Sequence, residues 1–142
     1  MNPFKFDVSL RFSGKAIDPA EMRARLGFEP EFQHKIGEQR TTPKGDILEG
    51  VYKTSYCCFS YTRRQNEELS EMLARIVESL AQHKDLFSRI RENDGRSEFF
   101  IGWYSSKNTG EIFDYELLGK ISALGIDLAL DVYGCDLKGG TH

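Results

Sequence analysis

Apolar and polar residues alternate without a break from Phe4 to Ser13: Phe4, Phe6, Val8, Leu10 and Phe12 fall on one side, Lys5, Asp7, Ser9, Arg11 and Ser13 on the other. A period of two predicts a half-buried strand with one wet face. The last apolar stretch repeats the pattern. Ile126, Leu128, Leu130 and Val132 are expected to face inward, and Asp127, Ala129, Asp131 and Tyr133 outward. Between these two strands the period lengthens. Leu69, Met72, Leu73, Ile76, Val77 and Leu80 follow helical spacing with charged residues between them. Phe87 and Ile90 nearly keep the phase, so the helix is expected to run from a cap at Asn66 to about Glu92, either continuous or broken near His83-Lys84-Asp85.

Turn and cap chemistry separates the remaining elements. Asp18-Pro19-Ala20-Glu21 is a helix start, with Asp at the N-cap and Pro in the first turn, and Gly27 after Leu26 is its stop. Asp114 starts a second such helix, which ends at Gly125. The two share an Asp cap and a Leu-Gly stop, a pattern that both an internal duplication and ordinary capping chemistry produce. Phe32 to Ile36 reads as a short strand. The polar segment 37–50 reads as a long loop or hairpin arm around Pro43-Lys44-Gly45-Asp46. Val51 to Thr62 reads as a central strand and Ser97 to Ser105 as another, apolar on both faces. The order β-α-β-β-α-β-α-β predicts an α+β fold: a ferredoxin-like, split βαβ sheet of about five strands, helices on one face and an extra C-terminal αβ unit. The order of the strands across the sheet is not specified by this pattern.

Several of these segments carry a family resemblance. Ser9-Leu10-Arg11-Phe12-Ser13-Gly14, Asp18-Pro19 through Leu26-Gly27-Phe28-Glu29-Pro30, Lys35-Ile36-Gly37-Glu38, Ile101-Gly102-Trp103-Tyr104-Ser105 and Leu117-Leu118 through Leu124-Gly125-Ile126-Asp127 to Asp131-Val132-Tyr133 resemble the uncharacterised bacterial family catalogued as domain of unknown function 4279. Where similar sequences are expected to hold a Trp in the middle strand, this one has Cys57-Cys58-Phe59. The resemblance implies a compact α+β domain and no established activity, so it brings no functional residue with it.

Length and charge narrow the function. The chain of 142 residues is the size of one domain, read as 1–136 with a flexible tail at 137–142. Its net charge of −3 speaks against a general nucleic-acid binder. Aromatic pairs such as Tyr52 with Tyr56 or Phe100 with Tyr104 could stack bases, but the basic segment that RNA readers place beside them is missing. No apolar run approaches the roughly 18 residues of a membrane span, and the N-terminus lacks signal-peptide regions. Three cysteines, Cys57, Cys58 and Cys135, make a poor disulfide framework. The expectation is a cytoplasmic protein with reduced thiols, one in the core and one partly exposed.

No catalytic constellation stands out. Cys57 and Cys58 point to opposite faces of a strand, and His34, His83 and His142 are scattered, so neither a metal site nor a cofactor is expected. Nothing places Cys58 beside His34 as a nucleophile pair. The wet face of the terminal strands is the candidate binding surface: Asp7 and Arg11 from the first, Asp127, Asp131 and Tyr133 from the last. If those strands are neighbours, Arg11 lies near an aspartate. The expected function is a non-enzymatic interaction or binding module, a homodimer or a partner-binding protein of the immunity type by analogy of size and charge, working through the open sheet face. The alternative is a small-molecule-binding or hydrolytic enzyme with 37–50 as a lid.

Overall fold

A computed structural model describes residues 2–134, so the tail expected at 137–142 and Cys135 lie outside the described residues. The protein is a mixed α+β fold. Its strands are β1 (Lys5–Gly14), β2 (Phe32–His34), β3 (Gln39–Thr41), β4 (Ile47–Val51), β5 (Ser55–Tyr61), β6 (Arg96–Tyr104) and β7 (Asp127–Tyr133). Its helices are α1 (Pro19–Leu26), α2 (Leu69–Leu80), α3 (Lys84–Glu92) and α4 (Tyr115–Leu124). Five strands form one sheet in the order β2-β5-β1-β6-β7, and β3 pairs with β4 in a separate ribbon. Only β6 and β7 run parallel, across the α4 connection; the other neighbours in the main sheet are antiparallel. This is not a simple split βαβ unit. The β3–β4 hairpin is inserted ahead of β5, and β7 extends the sheet beyond β6.

The alternation of β1 determines which side is packed. Val8, Leu10 and Phe12 are at most 2% exposed and join Phe59, Phe99 and Ile101 in one cluster with the apolar stripes of the helices. All four helices contribute to that cluster, so the opposite face of the sheet carries no helix among the described residues. Helix caps appear where Asp and Gly stand. Asp18 accepts from the backbone N–H of Ala20 at 3.1 Å, and Asp114 from that of Leu117 at 2.9 Å. Gly27 and Gly125 close their helices in the left-handed region, with φ of 86° and 70°.

Three local expectations are corrected, and the alternative left open for the long helix is decided. Asn66 is not a cap: it takes a left-handed φ of 61° in the turn before α2, and Glu68 stands at the N-cap, its N–H bonded to the Glu71 carboxylate at 2.8 Å. The long helix is broken by a tight turn at Ala81–His83, which lets α3 pack against β6 and α4. The strand expected at Val51 to Thr62 is divided: Val51 ends β4, and β5 begins at Ser55, inside the sheet between β2 and β1. In β7, Leu130 and Val132 are 48% and 64% exposed, although their register partners Ile101 and Trp103 are buried. An edge strand has a neighbour on one side only, and α4 packs towards α2 and α3.

Candidate functional site

The helix-free face can be read off the register as a grid. One row crosses the sheet as Phe32, Cys58, Arg11, Glu98 and Asp127; the next runs Ser60, Ser9, Phe100 and Ala129. Asp7, Gly102 and Asp131 follow, then Lys5, Tyr104 and Tyr133. The five residues singled out from sequence, Asp7, Arg11, Asp127, Asp131 and Tyr133, all lie on this face. They are not neighbours in the expected way, because β6 separates β1 from β7.

That intervening strand redistributes the charges. Arg96 on β6 donates to Asp127 at 3.0 Å and lies 3.6 Å from Glu98. The Tyr133 hydroxyl donates to Asp131 at 2.5 Å, and the Tyr104 hydroxyl to Asp7 at 2.9 Å. The two tyrosine rings stack at 5.0 Å, nearly parallel at 8°. Gly102 makes this possible: a Cβ there would sit 2.7 Å from the Tyr104 hydroxyl, whose ring lies across the glycine to reach Asp7. Burial and the bond to Asp7 push the Tyr104 hydroxyl up to about 12. The Tyr133 hydroxyl is raised as well, chiefly by its bond to Asp131.

Arg11 stands outside these pairings. Its guanidinium lies 3.6 Å from the centre of the Phe100 ring, leaning one row along the sheet. Its Nε is buried and donates to no acceptor among the described residues, nor does any described carboxylate come within 4.0 Å as an ion pair. A cavity of about 310 Å³ opens at this point, lined by Arg11, Phe100, Phe32, Cys58, Glu31 and Asp7 among others. Glu31 is oriented there by the Ser60 hydroxyl, which donates to it at 3.0 Å.

Cysteine and histidine chemistry is placed elsewhere. Cys57 and Cys58 are both free and both buried, so Cys58 is not the partly exposed thiol expected; it is flanked in register by Arg11 and Phe32. Burial in the core pushes the Cys57 thiol up to about 12. His34 pairs in register with Tyr56, not Cys58, and stacks on Tyr52 at 3.6 Å. Burial lowers its pKa. Among the described residues no group of three or more His, Cys, Asp or Glu side chains is placed to hold a metal.

Sequence reasoning left Phe100, Gly102, Tyr104, Arg96 and Phe32 out of the site. The alternation of 97–105 marks Glu98, Phe100, Gly102 and Tyr104 as one face, but only the register with β1 shows that it is the face of Arg11.

No helix among the described residues is long and apolar enough to cross a membrane. No curated protein and no solved structure matches the chain. The family model that does match is Domain of unknown function (DUF4279), over residues 3–135, nearly the whole chain and including every residue of the grid, and the chain therefore belongs to that family.

Proposed function

We propose that this protein is a non-enzymatic binding module that engages a protein partner, a second copy or another chain, through the helix-free face of its sheet. The observation that carries this reading is the composition of that face. Arg11, Phe32, Phe100, Tyr104 and Tyr133 stand on a face that none of the four described helices covers, while Asp7, Asp127 and Asp131 around them accept from Tyr104, Arg96 and Tyr133. Arg and Tyr give binding energy when desolvated, through planar hydrogen bonding and a large rigid ring. The carboxylates of the same face make nucleic acid an unfavourable occupant. None of the residues lining the cavity comes from 37–50, which forms its own ribbon, so nothing at the cavity wall favours the lid reading.

Two finer readings accompany this one. We read β2-β5-β1-β6 as a ferredoxin-like unit enlarged by the hairpin and β7; support comes from the antiparallel pairing of β1 with both β5 and β6. We read the protein as bacterial and cytoplasmic, in keeping with two free thiols at adjacent positions. The test of the binding reading is sedimentation across a wide concentration range for the wild type, Arg11→Ala and Tyr133→Ala, beside thermal melts. Self-association that both variants weaken about tenfold while remaining folded is the expected result for a second copy. Self-association that ignores both substitutions would move the working surface off this face.

A further inference from the structure

Resting on that reading of the helix-free face, we infer that Arg11 is the seat of a single carboxylate presented by a bound peptide segment of the partner. Three observations converge on this residue. Its Nε is a buried donor with no acceptor among the described residues, and such a group gains on receiving one. The carboxylates nearest in register, Glu98 and Asp127, are drawn to Arg96. The ring of Phe100, 3.6 Å away, holds the plane of the guanidinium and covers one side of it.

The molecule contains its own contrast. Arg63 also lies over a ring, that of Phe6, at 4.3 Å, beside a larger depression of about 640 Å³. There Nε donates to the Glu67 carbonyl at 2.7 Å. The same stacked geometry is thus internally satisfied at Arg63 and unsatisfied at Arg11.

The chemistry of the occupant follows from charge and shape. A carboxylate offers two coplanar oxygens to the guanidinium fork. A phosphate dianion would bring a second negative charge into a cavity whose wall already includes Asp7 and Glu31. Both of these carboxylates already accept from hydroxyls, and an added carboxylate meets less repulsion from them than a phosphate dianion does. The cavity, about 310 Å³, stands at the small end of the range for ligand sites and suits one side chain or one chain terminus. Phe32, 56% exposed at its rim, offers an apolar contact to the neighbouring residue of the peptide.

The experiment follows the side-chain Nε–H resonances of ¹⁵N-labelled full-length protein. Arg11 is assigned by its loss in Arg11→Lys, and Arg63 serves as the internal control. The probes are sodium acetate, inorganic phosphate, N-acetyl-phenylalanine, a capped hexapeptide with one Asp beside a Phe, and the same peptide with Asn for Asp. The Asp peptide is expected to shift the Arg11 Nε–H, to leave Arg63 unmoved, and to bind about tenfold or more tighter than acetate or N-acetyl-phenylalanine. Arg11→Gln and Arg11→Lys, each shown by a thermal melt to be folded, are expected to weaken it at least about tenfold. Equal binding of the Asn peptide, tighter binding of phosphate, or no response up to about 50 mM of any probe overturns the inference. A free acid as tight as the peptide overturns the peptide as source. If the peptide still binds Arg11→Gln with shifts confined to Phe100 and Tyr104, the carboxylate seat fails and the helix-free face stands. Shifts confined to the helices overturn both.

Discussion

The two faces of β1 use one stretch of backbone for different ends. On one side Phe6, Val8, Leu10 and Phe12 lie under helices and touch residues far away in sequence. On the other, Asp7 and Arg11 meet Tyr104 and Phe100 across the neighbouring strand. The packed face draws its stability from apolar area removed from water, which needs no particular partner, only enough of them. The helix-free face has little of this source, chiefly Cys58 and part of Phe100. Its order comes from hydrogen bonds and ring contacts, each small, and each dependent on the register. Shape on this second face is therefore specific without being strongly stabilising, which is what the proposed binding role would need.

The contrast can be broken at several points, in descending order of effect. On the packed face, Phe12→Ala should cost about 3–5 kcal/mol and Leu73→Ala about 2–5 kcal/mol, because both side chains are fully buried. A denaturant-measured loss below about 1 kcal/mol in either would show that the core is not continuous under β1.

Alkali should also act through the packed face. The Cys57 thiol ionises near 9.0 in an unfolded chain and about 12 in the fold. The unfolded state sheds its proton first, so the stability tied to the neutral thiol is intact below pH 9.0 and falls as pH rises towards 12. Cys57→Ala should flatten that slope, apart from its own constant loss. An unchanged slope would assign the alkaline loss to the tyrosines, Tyr104 included, whose ionisation is held up in the same direction.

On the helix-free face the effects shrink. Gly102→Ala forces the Tyr104 ring off its position and should cost about 1 kcal/mol, the order of one hydrogen bond. Ultraviolet titration should then show a tyrosine returning from about 12 towards its ordinary range. A Tyr104 that titrates as before would mean that the ring does not depend on the gap at Gly102. Smallest of all, Arg11→Ala should change stability by less than about 1 kcal/mol. Tyr133→Ala, at the sheet edge, should leave the melting midpoint nearly unmoved. Early unfolding of either would make these residues structural and erase the difference between the faces.

How far the site was legible follows the same division. Asp7, Arg11, Asp127, Asp131 and Tyr133 could be assigned to a wet face because alternation along a strand is a property of the backbone itself. Their partners could not. Pairing Arg11 with an aspartate assumed that β1 and β7 are adjacent, and β6 lies between them. Likewise Leu130 and Val132 have the inward phase, yet whether anything covers an inward side chain depends on what packs above an edge strand.

The sequence by itself determined the periods, the Asp-capped and Gly-ended helices, and the side of each strand that is apolar. These are local matters, decided by side-chain direction and by hydrogen bonds a few residues apart. The tertiary structure alone decided the strand order, which of the alternatives offered for 66–92 and for 37–50 holds, and the isolation of Arg11 over Phe100. Those depend on which segments meet across nearly ninety residues of chain, and no local preference carries that information.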